Sequence, residues 1–129
     1  DLPFVPYAPA LSHHGVDLSR MLLVHPSPGR ADALWAVEQA IRSQSSVAAL
    51  AWVKQADIAA LRRLQLGAET YRCWTVLFRP LAAINESSPA TLRFSLAPAC
   101  APSEVNGTSG RVRIDIRKCR GRRPHSLLL

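Results

Sequence analysis

Between Met21 and Phe78 the chain alternates short apolar runs with helical stripes, and this alternation constrains the fold more than any other feature. Met21-Leu-Leu-Val-His25 is an apolar run of strand length that ends at Pro26 and Pro28. Gly29 and Arg30 lead into Ala31–Arg42, where Leu34, Val37 and Ile41 recur at spacings of three and four. That spacing predicts a helix with Trp35 beside its apolar stripe. Ser43 to Ser46 break the pattern. Val47–Val53 is apolar on both faces, which suits a central strand of a parallel sheet. Asp57–Glu69 predicts a second helix, with Ile58, Leu61, Leu64 and Leu66 apolar and Arg62, Arg63 and Glu69 in water. Cys73–Phe78 is rich in β-formers and predicts a third strand that stops at Arg79-Pro80.

Strand, helix, strand, helix, strand at this spacing is the pattern of right-handed βαβ crossovers. The expected class is α/β, a mostly parallel sheet flanked by helices. From Leu81 the character changes. Asn85–Pro89 reads as a loop, Thr91–Leu96 as a half-exposed strand and Pro98–Gly110 as a second loop. Arg111–Arg117 alternates strictly, with Val112, Ile114 and Ile116 on one face, which is expected to pack on the core. Gly121 can turn the chain so that Ser126–Leu129 pairs back, and the whole tail is expected to extend the sheet in antiparallel fashion. At 129 residues one domain is expected, with residues 1–80 as its βαβαβ core and 81–129 as loop plus β extension.

Residue 1 is Asp, and three prolines among the first nine residues predict a loop cut from something longer rather than a helix or strand. No signal-peptide pattern precedes it. No apolar run approaches the roughly 18 residues of a membrane span. A hydrophobic content of 48% excludes a wholly disordered chain. Cys73, Cys100 and Cys119 are far apart, with no Cys-x-x-Cys pair. A disulfide framework or zinc site is therefore not expected, and free thiols suit a reducing cytoplasm.

Arginines outnumber lysines 14 to two, within a net charge of +7. Seven basic residues, Arg111, Arg113, Arg117, Lys118, Arg120, Arg122 and Arg123, stand against Asp115 alone, so this segment carries +6. A basic cluster of this density suits an acidic protein face or a phosphate backbone, and the seven residues are the candidate contact site; the plainer reading is a solvated hairpin. Odd positions of a strand share a face, which projects Arg111, Arg113 and Arg117 together with Asp115 between them. Arginine favours planar, bidentate contacts to carboxylates or phosphates. A protein partner is expected over DNA, because Tyr71, Trp74 and Phe78 belong to a strand expected to be buried, which leaves no stacking platform.

No catalytic, cofactor or metal site assembles from the sequence. The Gly-x-x-x-x-Gly-Lys-Ser/Thr phosphate loop is missing, and the strand ending Leu50-Ala-Trp-Val53-Lys54 carries no terminal acid to hold magnesium. Asp57 reads as a helix cap. His13 and His14 are neighbours pointing apart on a helix, a poor metal clamp. His25 closes a strand but has no acid or nucleophile beside it. No serine lies in a Gly-x-Ser-x-Gly elbow. Asn85-Glu-Ser87 and Asn106-Gly-Thr108 fit the glycosylation pattern by chance. The chain is expected not to be an enzyme.

Pro6-Tyr-Ala-Pro-Ala-Leu11, Gly15–Val24, Ala31–Arg42, Leu61-Arg-Arg-Leu-Gln65 and Leu77-Phe-Arg-Pro80 together resemble the ImuA family. Lys118-Cys-Arg-Gly-Arg-Arg-Pro124 resembles the basic hairpin near the end of RecA-like cores. ImuA is associated with damage-induced translesion DNA synthesis and is related to the division inhibitor SulA and, more distantly, to RecA. The resemblance implies a RecA-like fold without a working ATPase, a cytoplasmic SOS-response role, and ImuB-like polymerase-family protein or RecA as partners. A SulA-like division inhibitor acting on FtsZ is the first alternative, and a basic nucleic-acid-binding α/β module touching the DNA backbone is the second. In RecA-like cores the phosphate loop lies upstream of the part seen here. If that unit is missing, strand Val47–Val53 lacks a neighbour, and self-association is expected.

Overall fold

The computed structural model describes residues 4–25, 33–98, 112–121 and 126–128. The chain divides into two compact units, Asp1–Pro80 and Leu81–Leu129.

The first unit opens with a helix, α1, over Ala8–His13. The prolines do not prevent it, because Pro9 lies in the first turn, where a missing N–H breaks no intrahelical bond. The expectation of an unbroken loop is thus corrected at its last residues. A 3-10 turn follows at Leu18–Arg20, capped by Asp17, whose carboxylate accepts from the Ser19 N–H at 3.0 Å. Met21–His25 is not a strand, although Met21 itself is extended, and Leu22 is 85% exposed. The run is apolar enough for a strand, yet it pairs with no strand among the described residues. An apolar run without a ladder partner leaves its backbone to water.

Helix α2 spans Ala33–Arg42 and buries Leu34, Val37 and Ile41, the expected stripe. Its expected first turn at residues 31 and 32 lies outside the described residues. Strand β1 (Ala48–Trp52), helix α3 (Ile58–Tyr71) and strand β2 (Trp74–Phe78) complete the unit. Asp57 caps α3 by accepting from the Ala60 N–H at 2.6 Å, and Arg72 ends the helix in the left-handed region at φ 53°. β1 and β2 pair in parallel, with Ala48 opposite Trp74 and Trp52 opposite Phe78. The inward face of this pair, with Ala51, Val53 and Cys73, meets Leu34, Val37, Ile41, Ala60 and Leu64 in one core. Gly67 lets α3 approach α2: a Cβ there would stand 3.3 Å from Ile41 Cγ2.

The outward face of β1 and β2 corrects a second expectation. Leu50 is 53% and Trp74 69% exposed, and β1 has one ladder partner among the described strands instead of two; Tyr71, at the end of α3, is exposed as well, so the expected burial of the aromatics Tyr71 and Trp74 does not hold. Trp52 stacks on Phe78 with ring centroids 4.6 Å apart. Apolar residues on both faces suit a strand with two covered faces, but here α2 and α3 cover one.

The second unit contains a 3-10 turn at Leu81–Asn85 and three strands, β3 (Leu92–Pro98), β4 (Val112–Cys119) and β5 (Ser126–Leu128). Their order is β3-β4-β5, antiparallel throughout. They form a sheet of their own rather than an extension of the parallel pair, so the α/β class holds but the sheet is not mostly parallel. With Met21–His25 unpaired, the parallel part has only two strands among the described residues. No helix among the described residues is long and apolar enough to cross a membrane.

Candidate interaction surface on the basic hairpin

The β3–β4 ladder sets where the basic side chains go. Leu92 lies opposite Cys119 and Arg93 opposite Lys118, but Phe94 lies opposite Ile116. Arg117 is therefore the extra residue of a β-bulge, and the alternation of β4 resets there. Cross-strand partners share a face, so one face holds Arg93, Ser95, Arg113, Asp115 and Lys118. Arg113 and Asp115 do project together as the alternation predicts, but Lys118 takes the place expected of Arg117. A strictly periodic reading has no signal for an inserted residue.

The polar face is engaged within the unit. Arg93 donates to the carbonyls of Glu86 at 2.8 Å, Ile84 at 3.0 Å and Ala83 at 3.2 Å. Lys118 Nζ donates to the Ser88 carbonyl at 2.9 Å. Segment 83–88 is thus fastened to the sheet by the two opposed cations, whose charge strengthens each bond. Further along, Arg113 pairs with Asp115 at 3.3 Å, and the Ser126 hydroxyl donates to Asp115 Oδ1 at 2.7 Å. That hydroxyl bond outweighs the opposing effect of desolvation and, with lesser help from Arg113 and Arg117, holds the Asp115 carboxyl below its ordinary value.

The seven candidate residues therefore divide. Lys118 and Arg113 are tied to the fold. Arg117 and Arg120 are exposed, Arg117 in the bulge and Arg120 in the turn, where its N–H donates to the Thr91 carbonyl. Arg111, Arg122 and Arg123 lie outside the described residues. Sequence reasoning missed Arg93, which has the most hydrogen bonds of these cations. Its one signal was a cation on the polar side of an alternating strand.

The opposite face corrects the expectation that the apolar positions pack on the core. Leu92, Phe94, Leu96, Ile114, Ile116 and Leu127 share it through the register, yet Phe94 is 44% and Leu96 50% exposed. The reason lies in Arg93 and Lys118. They draw segment 83–88 to the polar side and leave the apolar side the more open one.

The remaining candidates have plain roles. Asp57 is the α3 cap, as expected. His13 and His14 are exposed at the end of α1, ring edge to ring face at 5.7 Å. His25 is exposed and ends no strand, contrary to expectation. Cys73 is buried in the first unit's core, and Cys119 lies at the rim of the antiparallel sheet; Cys100 lies outside the described residues. Among the described residues no three His, Cys, Asp or Glu side chains cluster as metal ligands.

Known proteins include relatives of this chain. Protein ImuA of Caulobacter vibrioides, in each of two strains, is 29% identical to this chain over an alignment covering 95% of this chain. The chain spans about half the length of these curated relatives, 55%. No protein-family profile matches the chain, and no solved structure matches it. Over 95% of its length, across both units, this chain is similar to Protein ImuA.

Proposed function

We propose that the chain is a non-catalytic accessory protein of damage-induced, error-prone translesion DNA synthesis, acting in the cytoplasm through protein contacts. The relationship to ImuA over 95% of the chain is the observation that carries this reading. The β1–α3–β2 unit is read as part of a RecA-like core, because a parallel pair joined through a helix is the elementary unit of such sheets. The contact site is the basic hairpin, whose described cations Arg113, Arg117, Lys118 and Arg120 are all exposed, Arg113 and Lys118 being tied to Asp115 and the Ser88 carbonyl. Its partners are an ImuB-like polymerase-family protein or RecA, met through acidic side chains. ATP has no part in the activity, since Lys54 follows β1 where a magnesium-holding acid would stand and Asp57 is committed to its helix cap.

Replacing Arg120, Arg122 and Arg123 with Ala tests the reading. Partner binding and damage-induced mutagenesis should both fall, with the fold intact by circular dichroism. Each lost charged contact is worth roughly 1 kcal/mol or more. A folded triple variant that fully supports mutagenesis would reduce the hairpin to a solvated edge. Tight DNA binding with a steep salt slope, in the absence of a protein partner, would instead assign these arginines to phosphates.

A further inference from the structure

The parallel sheet of the first unit has two edges, and they are unlike. Trp74 N–H donates to the Val47 carbonyl at 2.8 Å, and Val53 N–H donates to the Phe78 carbonyl at 2.9 Å. The odd-numbered residues of β1 therefore turn their main chain toward β2, while Ala48 and Leu50 turn theirs to the opposite edge. There the N–H and C=O groups of Ala48 and Leu50 meet no partner among the described residues, and both residues are exposed.

An unpaired edge is a template for another strand, and folded proteins blunt it with charge, proline or a bulge. The β2 edge is blunted in this way, since Arg72 and Arg79 bracket the strand and Pro80 follows it. The β1 edge is not. From Ser43 to Val53 there is no charged residue and no proline, and the β1–β2 register runs without a bulge.

A second copy laid antiparallel on this edge meets no like charge along it. About a two-fold axis through Ala49, each Ala48 faces the other copy's Leu50, a small side chain beside a large one. Each such pair exchanges two main-chain bonds, so four form, all from groups left free in one copy. The two Ala49 residues then face each other in the close, non-bonded position, where their methyl groups leave room on the half-buried inner side. The antiparallel sense also puts the two Lys54 residues at opposite ends of the seam, whereas a parallel stack would set them side by side.

We propose that the chain pairs with a second copy of itself through the β1 edge, the two strands antiparallel and Ala48 of each opposite Leu50 of the other. The product is a four-stranded sheet in the order β2-β1-β1-β2, closed by symmetry at two copies. It gives the self-association expected of Val47–Val53 a defined seam, and it uses none of the basic hairpin.

Sedimentation of the full-length protein over a range of concentrations tests the pairing, and a reversible dimer is expected. Ala48→Pro removes one edge N–H and leaves the β1–β2 ladder its bonds, and Leu50→Lys sets a charge on the seam. Each should raise the dimer dissociation constant about tenfold or more. Leu50→Lys changes only an exposed side chain, so it decides the matter if Ala48→Pro does not fold. With Cys100→Ser and Cys119→Ser as background, Ala49→Cys should cross-link to itself on oxidation, because residues facing each other in that position stand about 4.5 Å apart at Cα. Thr75→Cys, the partner of Ala49 on the β2 side, should not. A monomer at every concentration would overturn the proposal and leave the edge to a strand of another protein. A dimer indifferent to both folded variants, or cross-linking through Thr75→Cys in place of Ala49→Cys, would overturn it as well.

Discussion

Arg93 and Lys118 face one another across the β3–β4 ladder, and both side chains donate to main-chain carbonyls of the same stretch, residues 83–88. Two cations side by side repel, yet here each is neutralised by peptide dipoles rather than by an acid. The arrangement converts part of the basic hairpin from a contact surface into a structural fastening. It explains why the apolar side of the sheet, and not the polar side, is left open.

Arg93→Ala should destabilise the second unit by about 1–2 kcal/mol, since hydrogen bonds from charged donors are the stronger kind and these are only partly exposed. Hydrogen exchange along Val112–Cys119 should report the loss. Arg117→Ala and Arg120→Ala should change stability by less than about 0.5 kcal/mol, as surface substitutions do. Equal effects for all three would contradict the division of these cations into Arg93, which fastens segment 83–88, and Arg117 and Arg120, which do not.

Acid should loosen the second unit through Asp115. Its carboxyl titrates lower in the folded chain than in the unfolded one, chiefly because Ser126 donates to it. A depressed carboxyl contributes its stability above the unfolded value and loses it as pH falls through the folded value. Protection of β4 and β5 amides should therefore decline below the ordinary carboxylate range. Asp115→Asn and Ser126→Ala should each flatten that decline, and an unchanged pH profile in both would refute the link.

Asp57→Ala should cost the first unit about 1 kcal/mol, the usual loss for an N-cap whose side chain satisfies a helix N–H. Asp57→Asn should recover most of it. Urea unfolding followed by tryptophan fluorescence suits the measurement, since Trp35, Trp52 and Trp74 all belong to this unit.

Ile41→Ala should cost the first unit more than the loss of the Asp57 cap, at about 3 kcal/mol, because Ile41 is 1% exposed and packs beside the glycine that lets the two helices approach. The same urea titration should rank it above Leu66→Ala, whose side chain is 56% exposed. A reversal of that order would relocate the core.

Periodicity made α2 and α3 legible, because each records its own burial in the spacing of its residues, while β-forming residues marked β2 and alternation marked β3 and β4 without telling whether their apolar face is covered. Leu34, Val37 and Ile41 are an example: the stripe read from the sequence is the stripe that is buried. Met21–His25 shows the limit. Its residues have strand character, but a strand is a property of a pair, and no periodicity reports whether a partner exists. The bulge at Arg117 and the side on which segment 83–88 settles were equally hidden, since both follow from tertiary hydrogen bonds. At the candidate site the sequence showed the charge and missed how Arg93 and Lys118 are occupied.

The parallel pairing of β1 with β2 has a consequence for the order in which the first unit folds. A hairpin can begin its ladder at the turn, but parallel strands share no turn, and residues 53–73 must cross over before any bond between the two can close. Closing a loop of that length has its entropy cost before any contact is made. Helix α3 shortens the gap as it forms, so the helix comes early and the ladder late. On this order, weakening the cap at Asp57 is expected to slow the pairing of Ala48 with Trp74, although Asp57 lies in neither strand.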